Sequence, residues 1–273
     1  MNSIKRPLLL SLGLVLATAL ATQAHTLRVL VNRPVVEQGK KGTVYLSYGH
    51  LLPVDELIDA EALALLQLHT PTGSVKPLAM TGKSLHANEV IFDEPGLYQA
   101  ATARKPLIYC TYTDASGKPA FARVPKSEFK LPEGGKFVLG AKGHQYSKAL
   151  ILCGETSSQA PAPLGHTLEI VVESQPGKQG YSADAPVKAR VLFQGKPLAG
   201  VKVDAASTTL SPDGLPETAA ETDSEGRVTL ELPEPGTWIL NVTYKRDSAP
   251  ADRQAFDIES YVATFAIPIA EDK

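Results

Sequence analysis

Residues 195–244 read GKPLAGVKVDAASTTLSPDGLPETAAETDSEGRVTLELPEPGTWILNVTY. Gln194-Gly195-Lys196-Pro197 is a polar hairpin between two strand-like runs. Asp223-Ser224-Glu225-Gly226 is an acidic turn between two more, and Trp238 sits in a late strand. Runs rich in Val, Thr and Ile, punctuated by Gly, Pro and Asp, without a 3.6-residue period, specify short strands joined by tight turns. Upstream, HTLEIVVES (166–174) and APVKARVLFQ (185–194) have the same character, as does YVATFAIPI (261–269) downstream.

The pattern extends to the first half. HTLRVLVNRPVV (25–36) alternates Leu27, Val29 and Val31 with solvent-tolerant neighbours, EQGKKG (37–42) is a turn, and TVYLSYGH (43–50) is a second strand. Further strand-like runs are ALLQLHT (64–70), EVIFDE (89–94), GLYQAATA (96–103), LIYCTYT (107–113), KFVLGA (136–141) and KALILCG (148–154). LLPVDELIDAEAL (51–63) reads either as a helix opened by Pro53 with Asp55 and Glu56 in its first turn, or as an acidic loop. GETSSQAPAPLG (154–165) has the composition of a semi-extended connector. The expectation is an all-β fold of two antiparallel β-sandwich domains, immunoglobulin-like or prealbumin-like: residues 25–154, a linker 155–165, and residues 166–273.

Residues 1–24 read as a secretory signal peptide: Lys5 and Arg6, a short apolar run Leu8 to Leu20, then Thr22-Gln23-Ala24. The run is shorter than the roughly 20 residues a membrane helix needs. Thr22 and Ala24 suit cleavage after Ala24, which makes His25 the first residue of the mature chain; a cut after Ala21 is the alternative. The expected location is the periplasm, with no membrane-embedded segment. There, Cys110 and Cys153 would pair, a disulfide worth about 4 kcal/mol for so long a loop. A thiolate metal site is the rival reading, weakened by the absence of any CxxC spacing. A net charge of −2 over 273 residues gives no electrostatic basis for nucleic-acid binding.

No Gly-x-Ser-x-Gly elbow, phosphate loop or His-Glu-x-x-His helix occurs, so the sequence does not call for an enzyme. The six histidines carry the chemistry: His25, His50, His69, His86, His144 and His166. Antiparallel pairing around a turn near Gly39 puts His25 opposite about position 53 and His50 within about three residues of it, on the order of 10 Å. An N-terminal histidine binds metal through its α-amine and its Nδ1 together, and the low pKa of that amine favours this at neutral pH. His50 would add a third nitrogen, a set suited to Ni(II) or Cu(II), or to Co(II) or Zn(II) with further ligands. His86 and His144 are candidate additional ligands, and Asp55 and Glu56 candidate oxygen ligands or hydrogen-bond partners behind the histidines. His69 and His166 read as structural.

Several phrases, in order, resemble the periplasmic nickel/cobalt-uptake proteins of the NikK-like group, which accompany energy-coupling-factor-type transporters. They are AHTLRVLV (24–31), YGHLLPVDELIDAEAL (48–63), EPGLYQAATARKP (94–106), GHQYSKALILCGE (143–155), GHTLEIVVES (165–174) and TDSEGRVTLELPEPGTWILNV (222–242). Residues 195–244 also look like prealbumin-like or carboxypeptidase-regulatory modules, whose usual role is support. The resemblance implies a protein that buffers or delivers Ni(II), or Co(II), to inner-membrane transporter components, with His25 and His50 as ligands and His86 or His144 as thirds. Two other readings use the same residues differently. One is a copper protein, either a histidine-brace enzyme or a non-catalytic binder; the other is a metal-free scaffold.

Overall fold

The computed structural model describes residues 25–154, 159–211 and 213–271. Residues 1–24, read from the sequence as a signal peptide, and the first part of the linker, 155–158, lie outside the described residues. Those described form strands, turns and two short 3₁₀ turns, with no α-helix. None of their helices is long and apolar enough to cross a membrane.

The expected hairpin turns form. Gln194 and Gly195 take positive φ values of 52° and 75°, which reverse the chain between Val187–Phe193 and Lys196–Pro197. At the acidic turn, Asp223 Oδ1 accepts from the Glu225 and Arg227 amides, each at 2.8 Å. Trp238 is buried, its indole N–H donating to Glu234 O at 2.7 Å.

A central twelve-stranded sheet runs through both halves of the chain. Eight of its strands follow one another in the order Thr218–Glu221, Lys202–Ser207, Gly236–Asp247, Ile258–Ala270, Lys136–Cys153, Gly96–Arg104, Leu63–His69, Val75–Pro77; the other four, Val35–Val36, Leu107–Thr113, Pro119–Ala122 and Tyr181–Ser182, pair off this path. Most neighbours are antiparallel. The long strand Lys136–Cys153 and the closing strand Ile258–Ala270 are parallel, in register from Ala141↔Ile258 to Ala149↔Ala266.

Side-chain alternation along the long strand explains the architecture. Ala149, Ile151 and Cys153 enter a core with Leu27, Val29, Val44 and Leu46. Leu150 and Leu152 enter another with Leu168, Val191, Trp238 and Phe265. Successive strand residues point to opposite faces, so one strand seals two cores. This is why residues 149–153 form an unbroken apolar run, as strands buried on both faces do. Against one face lies the sheet of Thr26–Val31, Lys40–Gly49 and Asn88–Phe92; against the other, that of Leu168–Val172, Val187–Phe193 and Lys196–Pro197 with Arg227–Leu230.

The later part of the linker is pinned where the halves meet. The Leu164 and Gly165 amides donate to the Glu169 carboxylate at 2.6 and 2.9 Å, and Gln99 Nε2 donates to Ala162 O at 2.8 Å. Lys148, fully buried on the long strand, closes the group with an ion pair to Glu169 at 2.6 Å.

One expectation is corrected. Cys110 and Cys153 are not bonded. Cys110 faces Gly140 in the register with the long strand, and Cys153 lies 13 residues farther along it, about 40 Å of extended chain. A disulfide tolerates a Cα separation of no more than about 7 Å. Cys110 Sγ donates instead to Val124 O and Cys153 Sγ to Phe92 O. Burial pushes both thiols up in pKa, the opposite of what a thiolate ligand requires. For residues 51–63, read as either a helix or an acidic loop, no α-helix forms. Glu56 bridges back to Tyr48, Ile58–Asp59 pairs with Lys83–Ser84, and a 3₁₀ turn at Ala60–Ala62 follows, with Asp59 capping the Glu61 amide.

Candidate metal centre

The opening strand Thr26–Val31 pairs with Lys40–Gly49 from Val31↔Val44 to Thr26↔Gly49. Extending that register by one residue sets His25 opposite His50, closer than a turn centred at Gly39 would place them. The turn is displaced because Val35–Val36 leaves the hairpin to pair with Leu152–Cys153. The two imidazole rings lie with centroids 4.6 Å apart and planes tilted by 49°.

The His25 ring is held by side chains around it, and His50 through its backbone. His25 Nε2 donates to Glu56 Oε1 at 2.7 Å, since a carboxylate can only accept. The His25 ring stacks on Tyr48 at 5.4 Å and 24°. Arg104 holds that tyrosine, donating from Nη1 to its hydroxyl at 2.8 Å with the guanidinium 5.3 Å from the ring centroid. Gln145, on the long strand, donates to His25 O at 2.7 Å and accepts from the Leu27 amide at 3.1 Å.

The turn after Gly49 directs His50. Asp55 Oδ2 accepts from the His50 amide at 2.7 Å and the Leu51 amide at 3.2 Å, and these bonds hold the Asp55 carboxyl below its usual pKa. Arg28, buried beneath, donates from Nη1 to Gly49 O at 3.2 Å. Burial lowers its pKa to about 10, with Asp55 acting in the opposite direction.

Among the described residues, no three His, Cys, Asp or Glu side chains form a group ready to hold a metal ion. The His25–His50 pair could supply two nitrogens, and a chain beginning at His25 could supply a third from its own amine. With metal–nitrogen bonds of about 2.0–2.1 Å, imidazoles at adjacent corners of a square would have centroids roughly 4.5 Å apart. The observed 4.6 Å fits that spacing.

The other candidates are not brought to this pair. His86 is buried with both ring nitrogens engaged: Nε2 donates to Ile58 O at 3.0 Å and Nδ1 accepts from the Thr81 amide at 3.3 Å. His144 precedes Gln145 on the long strand and therefore faces the opposite side of the sheet. It stacks on Tyr261 at 4.4 Å and 10°, with Nε2 3.7 Å from Glu259; burial lowers its pKa. His166 lies against Tyr146, and His69 bonds Gln67. Sequence reasoning missed Tyr48, Arg104 and Gln145. Only Tyr48 left a usable local sign, since alternation places it on the same strand face as His50.

A family model described as a domain of unknown function, DUF4198, matches residues 22–246. No curated protein matches the chain. Among solved structures, the D0-D1 domain of intimin is 11% identical, covering 88% of this chain and 96% of its own, with a TM-score of 0.21. The fibronectin(III)-like modules of CbhA from Clostridium thermocellum are 9% identical, covering 89% and 94%, with a TM-score of 0.19. The FN1-FN3 domains of chicken CNTN1 are 10% identical, covering 90% and 98%, with a TM-score of 0.23.

Proposed function

For a chain that belongs to the DUF4198 family, we propose a periplasmic nickel-binding protein that buffers or delivers Ni(II), with Co(II) as the related cargo, to an inner-membrane uptake transporter. Nickel is the cargo, and no turnover is involved. The observation that carries this reading is the His25–His50 ring pair, 4.6 Å apart, at the point where signal cleavage would free the His25 amine. The likeness of phrases along the chain to NikK-like uptake proteins supports it. So does the exposure of the site: the His25 side chain is 32% accessible and that of Glu56 52%, which suits an ion that must be handed on.

The arrangement suits exchangeable binding. Two imidazoles and an amine form a neutral nitrogen set that leaves coordination positions open for water or a receiving ligand. The same set binds Cu(II) more tightly than Ni(II), so affinity alone does not identify the cargo.

Calorimetric titration of the chain beginning at His25 tests the reading. One Ni(II) per chain is expected, with affinity falling at least about tenfold in His50→Ala and in a chain carrying one extra alanine before His25. Equal affinity in all three forms would remove the site. Nickel accumulation in cells with and without the protein then tests delivery.

A further inference from the structure

Glu56 meets the His25 ring at Nε2, 2.7 Å away. This inference rests on the nickel reading and concerns how His25 is prepared for the ion. The His25 Nε2 proton points at Glu56 Oε1 over 2.7 Å, which in the neutral imidazole leaves Nδ1 with the free lone pair. An N-terminal histidine closes a six-membered chelate ring through amine nitrogen, Cα, Cβ, Cγ, Nδ1 and metal. Nε2, on the far side of the ring, cannot close it. The contact thus engages the nitrogen that chelation does not use.

Glu56 is itself fixed to the strand that leads into His50: its amide donates to Tyr48 O at 2.9 Å. Tyr48 also provides the face on which His25 stacks, so one strand sets the plane of His25, the direction of its Nε2–H and the position of the second imidazole. We propose that Glu56 is a positioning residue that holds His25 as the Nε2–H tautomer, oriented for chelation through Nδ1. A carboxylate on the distal nitrogen also raises the basicity of the ligating one.

The test compares Glu56→Ala and Glu56→Gln in the chain starting at His25. Nitrogen-15 NMR of the metal-free protein reports the His25 Nε2–H, and calorimetry with Ni(II) alone reports affinity. A hydrogen-bonded Nε2–H signal is expected in the parent, retained in Glu56→Gln, whose amide oxygen still accepts, and lost in Glu56→Ala. Ni(II) affinity should fall by about 10- to 100-fold in Glu56→Ala and by less in Glu56→Gln. An unchanged Nε2–H signal in Glu56→Ala, or parent-like affinity in that variant, would overturn the proposal. If the parent chain binds no nickel, the functional reading fails, while the NMR comparison still decides whether Glu56 controls the His25 tautomer.

Discussion

At Gly49 the backbone takes φ +120°, a region that side chains rarely adopt, and a methyl group there would stand 2.7 Å from Asp55 Cβ. The close approach lets Asp55 reach back to the amides of His50 and Leu51. Gly49→Ala should therefore open the turn, costing about 1–3 kcal/mol of stability and moving His50 away from His25. Chemical denaturation and nickel titration of the variant check both effects. Parent-like stability would show that the turn does not depend on this approach. The Glu56 contact belongs to the same scale: its type and place were readable in YGHLLPVDE (48–56), but its partner was not. Local text shows an acid near a histidine; only the register shows which histidine.

The opening strand is the element on which the site depends, and it forms the edge of its sheet. Its outward backbone groups bond to side chains of the central sheet. The Val29 amide donates to Ser147 Oγ at 2.8 Å, and Thr264 Oγ1 donates to Leu27 O at 3.2 Å. Ser147→Ala would leave the buried Val29 amide unsatisfied, a cost of about 1–3 kcal/mol. Hydrogen exchange should show loss of protection concentrated in Thr26–Val31, whereas a loss spread evenly over the molecule would contradict this role for Ser147. Strand identities here were legible from Leu27, Val29 and Val31, and so was the end of the sheet that His25 and His50 share. The offset was not legible, because Val35 and Val36 pair with Leu152 and Cys153, more than a hundred residues away. No local pattern encodes a contact of that range. Cys110 and Cys153 were misread for the same reason: both look like strand residues, and nothing nearby reveals that one strand holds their positions far apart.

Across the whole molecule, the shared sheet joins what the linker composition divides. The long strand and the closing strand bury residues in both cores, so unfolding either core exposes the other. A single unfolding transition is expected, seen alike by Trp238 fluorescence and by far-ultraviolet circular dichroism. Two separated transitions would mean that the cores fold independently. Acid should act at the junction. Burial, then Lys148, push His166 down to about 4 in the folded protein, from an ordinary value of 6.5. Between these values the unfolded chain binds a proton that the folded chain does not, so stability falls as pH drops from about 6.5 toward 4. Burial raises the Glu169 carboxyl, but Lys148 and the Leu164 amide outweigh it and leave its pKa depressed, adding further loss below the usual glutamate range. Denaturant midpoints should decline on acidification through this window, by up to about 3 kcal/mol from His166, and the slope should flatten in His166→Gln. A pH-independent midpoint between 4 and 6.5 would contradict the burial of that imidazole.

In the proposed site a freed amine and two imidazoles, His25 and His50, bind one ion. X-ray absorption at the nickel edge of the loaded chain beginning at His25 counts these ligands directly. The expected result is a nitrogen and oxygen shell without sulfur and with scattering from two imidazoles, falling to one in His50→Ala. A sulfur ligand, or an imidazole count unchanged by that substitution, would contradict it.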